Sequence, residues 1–438
     1  MFVIDRDPKE MEDAGFAKCA YVPFLIAADG SYPVEANRYL RTRATCEWEV
    51  HLGGPSQLAK LAKKRFLTPE SCDQMARRLR QFLRWCIATD RDWRTVGYRE
   101  DLIDWQKGLV RGTASESLKP LADATINGLV SEACLFLTWA GEKQFRAEFD
   151  VPTNVRSVNI SRGDGAKSHK HTKIVQTRVG TLVVRPSKLN VPSPTAVGRW
   201  LRAMRHRYPV KSMMAELILE TGIRISECNQ WRVDTLPLRS KWKVRSGKVQ
   251  VTIRYGIKGA KRFPGSEESV NPREILVPVE LADRMDRYRD VARLNQLRRW
   301  VRAGDDKQEQ VRRARTPKPV RMWLSEASNQ PFDNVQFYRA WTQTPGCPKG
   351  WHPHSGRAYF AIEMVVEWVR NDLAARGCNA VPELTWLQGA MRDQVRLMLT
   401  PLLGHLSDET TMLYLRGVHL RLVEEFGHPA LRWQAFCD

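Results

Sequence analysis

Apolar residues in the first third of the chain recur at intervals of three and four positions, which is the spacing of one face of an α-helix. The clearest run opens at Pro69, and its apolar face comprises Met75, Leu79, Phe82, Leu83 and Cys86. Similar patterns cover residues 101–109 and 123–140. We therefore predict an all-helical domain over residues 41–148. Residues 1–40 show little periodicity and form an N-terminal extension without assigned structure.

The pattern changes twice in the remainder of the chain. Between residues 149 and 193, Gly, Ser, Lys, Thr and Pro dominate and only Thr181–Val184 resembles a strand, so we predict a basic interdomain linker. From 194 to 438 helical patterns return, and they are interrupted by two alternating stretches, Lys248–Tyr255 and Glu274–Val279, typical of paired strands. The predicted fold class is mainly α, with an all-helical N-terminal domain and a mainly helical C-terminal domain that contains a small antiparallel β-sheet.

The net charge narrows the choice of partner. The chain has 70 Lys and Arg against 49 Asp and Glu, a formal charge of +21. Basic side chains that neutralise phosphates release counterions from nucleic acid, so such an excess favours a nucleic-acid partner. An anionic membrane surface would also attract a basic protein, but no apolar run approaches the ~20 residues that are needed to span a membrane. No signal-peptide pattern opens the chain. We expect a cytoplasmic, nucleoid-associated protein in a bacterial-type cell that does not bind membranes.

The cysteines argue against a metal site. The nine are scattered and include no Cys-x-x-Cys pair, which disfavours zinc ribbons and disulfide frameworks. The nearest approach to a ligand cluster is Cys347 with His352 and His354, whose spacing matches no standard zinc pattern. We predict neither a metal nor a cofactor.

Short polar motifs follow one another in the second half of the chain. They are Thr221–Glu227 (TGIRISE), Lys258 in a loop between the two predicted strands, Pro353–Arg357 (PHSGR), and Leu402–His405 (LLGH) with Tyr414 nine positions after the histidine. In content and order they resemble the two arginine boxes, the hairpin lysine and the tyrosine box of the tyrosine recombinases, or phage integrases. The resemblance covers roughly residues 195–420, and the helical region before the linker is similar to the core-binding domain of that family.

The resemblance implies a DNA breaking-rejoining enzyme fold and site-specific recombination of double-stranded DNA through a 3′-phosphotyrosine intermediate. It implies roles in integration, excision or resolution of mobile DNA, and a homo-tetramer on two DNA sites, with the segment after Tyr414 packed on a neighbouring protomer. The catalytic residues it implies are Arg224, Lys258, His354, Arg357, His405 and Tyr414, with Glu227 positioning the first arginine.

The residue types suit that chemistry on physical grounds. A tyrosine oxygen can hold a phosphoryl group covalently, so no metal is required for the attack. Two guanidinium groups offer rigid paired donors to the charge that gathers on the non-bridging oxygens. Imidazole titrates near neutrality and can donate to those oxygens or move the tyrosine proton. A lysine on a hairpin can protonate the departing 5′ oxygen.

Several alternatives remain open at this point. Lys261 competes with Lys258 as the catalytic lysine, and each motif residue alone has an ordinary structural explanation. Gly356 and Ala358 stand where the family has Leu and His, and Gly356 should weaken helix packing. An insertion lies near 371–394. The basic insert 284–321 is equally well a solvated pair of helices.

Candidate DNA contacts outside the motifs are arginines on the polar face of the first helix and basic residues of the strand loop, namely Arg77, Arg78, Arg80, Arg84, Lys261 and Arg262. The alternative for the helix is an ordinary solvated face. Two alternative functions also remain: a type IB topoisomerase that relaxes DNA, and a DNA-binding protein of the same fold without catalysis.

Overall fold

The computed structural model describes residues 1–4, 7–48, 67–161, 170–184, 191–258, 267–377, 391, 394–403, 414 and 417–424. These residues form a mainly helical structure with small antiparallel sheets, which confirms the predicted fold class. The chain divides into two compact units. Unit 1 comprises Met1–Pro186 with Phe263–Gly265, and unit 2 comprises Ser187–Arg262 with Ser266–Asp438.

Unit 1 is built around the three helices that the apolar pattern predicted. Its helices are α1 (Pro8–Asp13), α2 (Val34–Ala44), α3 (Pro69–Ala88), α4 (Ile103–Arg111) and α5 (Asp123–Glu142). The start of α3 follows the usual chemistry: the Thr68 side chain accepts a hydrogen bond from the Ser71 amide, and Pro69 occupies the first turn. At the end of α4, Gly112 has a φ of 87°, a left-handed conformation that favours glycine. The core of the unit contains Phe82, Trp105, Phe136 and Trp139.

The first 44 residues, which the sequence left largely unassigned, belong to this core. Strand β1 (Phe2–Ile4) pairs antiparallel with β2 (Phe24–Ile26). The side chain of Asn37 on α2 accepts from the Leu25 amide at 2.6 Å and donates to its carbonyl at 2.9 Å. Tyr39 is fully buried and donates to Glu132 on α5 at 2.6 Å. The N-terminal extension is therefore an integral part of unit 1.

The stretch predicted as a linker contains a β-hairpin. Strand β3 (Thr153–Ser161) pairs antiparallel with β4 (Lys170–Arg178), in a register from Thr153 opposite Arg178 to Ser161 opposite Lys170. The prediction of a strand at Thr181–Val184 is wrong, because those residues follow a turn and are not extended partners of any strand. Arg178 donates to Tyr98 at 2.8 Å and to Gln106 at 2.9 Å, which ties the base of the hairpin to the helical part of unit 1.

Unit 2 combines nine labelled helices with one three-stranded sheet among its described residues. The helices are α6 (Pro194–Arg207), α7 (Pro209–Thr221), α8 (Ile225–Asn229), α9 (Val279–Arg287), α10 (Arg293–Arg302), α11 (Lys307–Arg315), α12 (Asn334–Gln343), α13 (Pro353–Ala375) and α14 (Thr400–Leu403). The strands are β5 (Val244–Arg245), β6 (Lys248–Tyr255) and β7 (Glu268–Pro278), in the order β5-β6-β7. Both predicted strands are confirmed, although β7 begins at Glu268 rather than Glu274.

Helix α7 is buried at the centre of unit 2, with Met214, Leu217 and Ile218 inaccessible to solvent. It packs against α6, α13 and β7. Because α7 ends at Thr221, the first residue of the first arginine motif, this burial fixes the position of that motif in the unit. None of the helices in the described part of the chain is long and apolar enough to span a membrane.

Candidate active site

The first arginine motif turns sharply from α7 into α8. Gly222 has a φ of 64°, in the left-handed region, and ends α7. Arg224 precedes the first residue of α8, and its amide donates to Glu227 Oε2 at 2.6 Å. The Arg224 guanidinium donates to Glu227 Oε1 at 3.1 Å. Glu227 therefore holds both the main chain and the side chain of Arg224, and its own carboxylate is completely buried.

The Glu227 carboxylate also binds Arg273, an arginine outside the motifs that sequence reasoning missed. Arg273 on β7 donates from Nη2 to Glu227 Oε2 at 2.6 Å, and also to the carbonyl of Leu402. A signal was available: Arg273 lies on the same strand face as the buried Ile275 and Val277, where a charged residue is unexpected.

The motif segments of unit 2 meet at Gly222. A Cβ atom there would lie 2.8 Å from Leu403 of α14 and still closer to the Phe360 ring of α13, so only glycine fits. Arg357, which is 1% exposed, donates to the Gly222 carbonyl at 2.7 Å and to the Leu403 carbonyl. The guanidinium of the second arginine motif thus joins the segments that carry the first arginine motif and the LLGH sequence.

Tyr414 lies in the same cluster. It is 4% exposed, and its hydroxyl is hydrogen-bonded to the side chain of Arg357. Burial raises the pKa of Tyr414 above its ordinary value, while the charges of Arg357 and Arg224 act in the opposite direction. The phenol is therefore protonated at neutral pH and lies beside two cations.

The cluster carries an excess of positive charge. The pKa of Arg357 is lowered to about 10, first by desolvation and then by the nearby charge of Arg224, against which Glu227 acts. Arg357 therefore remains charged at neutral pH. A bound anion would relieve the mutual repulsion of the two arginines, so the electrostatics of the cluster suit a phosphate.

His354 occupies the first turn of α13, one helical turn before Arg357, and is exposed. Desolvation of its ring and the charges of Arg357, His352 and Arg224 lower its pKa. The neighbouring His352 caps the helix by accepting a hydrogen bond from the Ser355 amide at 3.2 Å. The His352 and His354 rings are nearly parallel, with centroids 6.3 Å apart. His354 is thus a neutral imidazole at neutral pH, open to solvent beside the cluster.

Lys258 follows the end of β6 and is exposed. Its position is set two residues earlier, where Gly256 has a φ of 72° and packs on the main chain of α8; a Cβ atom there would lie 2.6 Å from the Ser226 carbonyl carbon. The Ser226 hydroxyl donates to the Gly256 carbonyl at 2.8 Å. This contact brings the strand end that carries Lys258 onto the helix that follows Arg224.

Three predicted residues, His405, Lys261 and Arg262, lie outside the described residues. The choice between Lys258 and Lys261 therefore stays a prediction. The structure brings together Arg224, Glu227, Arg357 and Tyr414, with His354 beside them.

The predicted DNA-contacting arginines of unit 1 lie along α3. Arg80 and Arg84 donate to Glu116 at 2.8 Å and 3.3 Å, so both have a protein partner. The guanidinium of Arg78 packs over Gly128, and Arg77 is exposed. The ion pairs with Glu116 favour the structural explanation for Arg80 and Arg84.

The segment after Tyr414 packs on its own unit as far as it is described. Val418 and Leu422 are fully buried with residues of α13. Arg421 donates to Glu363 at 3.0 Å and to the Pro192 carbonyl at 2.6 Å. Residues 417–424 therefore make contacts within unit 2, and a contact of this segment with a neighbouring protomer stays a prediction.

No group of three or more His, Cys, Asp or Glu in the described ranges is arranged to hold a metal ion. In the Cys347 region, the thiol donates to the Trp351 carbonyl at 3.6 Å and His352 is engaged in capping α13. These contacts account for two of the three residues that the sequence analysis considered as ligands.

No protein-family model matches the chain, and a search of curated proteins finds no match. Among solved structures, the chain is similar to a XerH site-specific recombinase bound to a palindromic difH substrate, at a TM-score of 0.47 and 15% identity over 91% of this chain and 90% of that chain. It is also similar to lambda integrase bound to a core site (TM-score 0.43, 10% identity, 82% of this chain and 93% of that chain). A third similar structure is the Tn1549 transposon integrase in complex with circular intermediate DNA (0.41, 14%, 87% and 94%). The motifs of the sequence thus resemble those of the tyrosine recombinases, and the similar solved structures are a site-specific recombinase and two integrases.

Proposed function

We propose that the chain is a tyrosine-type site-specific recombinase that cleaves and rejoins duplex DNA, with Tyr414 as the nucleophile. The observation that carries the proposal is the hydrogen bond between Tyr414 and the buried Arg357, beside Arg224. A buried phenol that bonds one guanidinium group and feels the charge of a second has the composition required for attack on a phosphodiester.

In the proposed cleavage step, the Tyr414 oxygen forms a bond to phosphorus as the bond from phosphorus to the 5′ oxygen breaks. Arg224 and Arg357 donate to the non-bridging oxygens, where negative charge develops. The product is a 3′-phosphotyrosine and a free 5′ hydroxyl. Attack of a 5′ hydroxyl on that link reverses the step and regenerates the tyrosine, so rejoining needs no external energy source.

Two protons move in this step. Because the pKa of Tyr414 is raised, its proton passes to a base during the attack. His354, whose pKa is lowered, is neutral at neutral pH and is the described group suited to accept it. Lys258 is the proposed donor to the departing 5′ oxygen. His405 keeps its expected role as a further donor to the phosphate.

Recombination between two duplexes cleaves four strands, and one protomer supplies one tyrosine. The proposal therefore includes a homo-tetramer on two DNA sites, acting in integration, excision or resolution of mobile DNA. Partner strands at defined sites distinguish this activity from relaxation of a single duplex.

Covalent trapping tests the nucleophile. Wild type, Tyr414→Phe and Tyr359→Phe are incubated with nicked duplexes from DNA that flanks the gene, and adducts that resist denaturation are resolved on a gel. Tyr359 is a matched control, because it is a partly buried tyrosine of the same unit whose hydroxyl has no proposed role. We expect an adduct with wild type and Tyr359→Phe and none with Tyr414→Phe.

Other outcomes contradict parts of the proposal. An adduct that persists in Tyr414→Phe would assign the nucleophile to another tyrosine. Tight binding without an adduct on any duplex would favour a DNA-binding protein without catalysis. Relaxation of a plasmid that lacks a recombination site would favour a topoisomerase.

A further inference from the structure

Helices α10 and α11 form a hairpin that the proposed reaction does not use. We call residues 293–318 the basic hairpin, because they include nine Lys or Arg and three Asp or Glu. The two helices pack on each other within unit 2. Some of these cations hold the hairpin together, and others are exposed to solvent.

The root of the hairpin is fixed by buried arginines. Arg293 is 4% exposed and donates to the carbonyls of Met322 and Arg321, both at 3.1 Å. Just before it, Arg289 is buried and donates to the Leu236 carbonyl at 2.7 Å. Charged donors that satisfy buried carbonyls are costly to remove. These two arginines are therefore structural.

The same root is joined to the element that carries Arg224. The Met322 amide donates to the Trp231 carbonyl at 2.8 Å, and the Val233 amide donates to the Val320 carbonyl at 3.0 Å. Residues 231–233 follow α8 almost directly. The basic hairpin thus projects from a base that is hydrogen-bonded to the segment after the first arginine motif.

Inside the hairpin, two of the three acidic residues are already engaged. Glu309 accepts from Arg312 and Arg313, each at 2.7 Å, and Arg313 also donates to the Trp300 carbonyl at 2.9 Å. Asp306 caps α11 by accepting from the Glu309 amide at 2.7 Å. These two carboxylates are used in building the fold of the hairpin, and Asp305 is the one other acidic residue of its sequence.

Six exposed cations remain on the hairpin surface: Arg298, Arg299, Arg302, Lys307, Arg315 and Lys318. Like charges at this density repel one another and reduce the stability of an isolated hairpin. Their concentration on a firmly mounted element therefore points to an anionic partner.

We propose that the basic hairpin binds the phosphates of duplex DNA outside the cleavage site. A duplex presents one negative charge per ~1.7 Å of its axis, which suits cations spread over two helices and the following loop. Arginine, which supplies four of the six exposed cations, pairs with phosphate through two parallel donors. The inference rests on the proposed function only in taking DNA as the ligand. An acidic protein is the other partner of suitable charge, and the test separates the two.

The test compares two triple variants of equal charge change. The hairpin variant is Lys307→Ser, Arg315→Ser, Lys318→Ser. The control is Lys241→Ser, Lys243→Ser, Arg245→Ser, which removes three exposed cations near the start of β6. That end of the eight-residue strand lies about 25 Å from the end that leads to Lys258. Binding to a random-sequence duplex of roughly 40 base pairs is measured over a range of salt concentrations.

Each phosphate contact contributes about 0.9 to the slope of log affinity against log salt concentration. We expect the hairpin variant to lose about 2–3 from the magnitude of that slope and the control to lose less than about 1. Both variants should unfold at the wild-type temperature, because all six substitutions are on the surface.

Equal slopes for the hairpin variant and the control would overturn the proposal. Loss of binding to polyglutamate by the hairpin variant, with an unchanged slope on DNA, would also overturn it and assign the surface to an acidic protein. The result is independent of the cleavage proposal, since absence of a wild-type adduct would refute cleavage whatever the slopes.

Discussion

At Glu227, one buried carboxylate accepts hydrogen bonds from the Arg224 amide, the Arg224 guanidinium and the Arg273 guanidinium. An amide in its place would keep the shape but would lose the charge and one acceptor oxygen. Arg224 would then be held less firmly, and a displacement of about 1 Å in a catalytic group can cost roughly 100-fold in rate. Glu227 is thus a positioning residue for the proposed reaction.

We predict that Glu227→Gln lowers the rate of adduct formation by roughly 10–100-fold while DNA affinity changes little. Glu216→Gln is the control, because Glu216 also pairs with two arginines of unit 2, Arg205 and Arg284. Both variants should lose about 1–3 kcal/mol in the free energy of unfolding. A single-turnover assay at saturating DNA measures the rates.

An equal fall in the rate for Glu216→Gln would mean that loss of stability, rather than the position of Arg224, explains the effect. An unchanged rate in Glu227→Gln would show that Arg224 does not depend on this carboxylate.

Single residues of the site differ in how well the sequence alone can predict them. Arg224, Arg357 and Tyr414 belong to motifs with fixed spacing, so the sequence predicted that they act together. Arg273 contacts Glu227 across 46 positions of sequence, and no local motif marks such a pair. Only its place on the apolar face of β7 distinguishes it. Long-range ion pairs depend on the docking of whole elements, which spacing does not encode.

On α13, Gly356 departs from the family pattern and was expected to weaken the helix. The structure supplies its reason: a Cβ atom there would lie 2.7 Å from the Trp341 ring. Trp341 is fully buried between Trp200 and Trp351, with ring centroids 4.5 Å and 5.4 Å away. Glycine therefore lets α13 pack closely against the tryptophan cluster, and this contact helps to fix the position of the helix that carries Arg357.

We predict that Gly356→Ala destabilises the protein by about 1–3 kcal/mol, because the ring cannot move away without disturbing its neighbours. Gly198→Ala is the matched control: it is also a helical glycine, but nothing lies within 4 Å of its added Cβ. Alanine should be neutral or stabilising there by up to about 1 kcal/mol. Urea denaturation followed by tryptophan fluorescence measures both, and a stabilised Gly356→Ala would contradict the packing argument.

Elements whose apolar residues recur regularly over several turns could be predicted from the sequence, and the other elements could not. The runs that became α3 and α5 span several turns, so their apolar faces are evident. Strands β1 and β2 have three residues each, too few for any period. Strands β3 and β4 contain many β-branched residues, but the Gly- and Ser-containing sequence between them dominated the composition and favoured the prediction of a linker. Pairing between strands, rather than local pattern, determines such hairpins.

For the molecule as a whole, the N-terminal 44 residues are a structural requirement of unit 1. We predict that deleting them removes the cooperative unfolding transition of that unit, because Leu25, Tyr39 and Leu40 are all fully buried in its core. Tyr39→Phe keeps the ring and loses the hydroxyl's bonds to Glu132 and Arg43, so it should retain the transition with a loss of about 1–2 kcal/mol. Differential scanning calorimetry of the full chain measures both, and a deletion that unfolds like wild type would contradict the assignment.

The chain returns at Arg321 and Met322 to the place it left at Arg293, since that arginine bonds both carbonyls. Farther from this base, Gln310 donates to the Gly304 carbonyl and Arg313 donates to the Trp300 carbonyl. Both of these hydrogen bonds join residues within the basic hairpin. Gln296 still donates to the Ser325 carbonyl at 2.7 Å, so the exchangeable module is the part of the segment beyond Gln296. A lineage could gain, lose or exchange it while the hydrogen bonds at its base stay in place, and an engineer could replace its tip with a short turn or graft another binding element there.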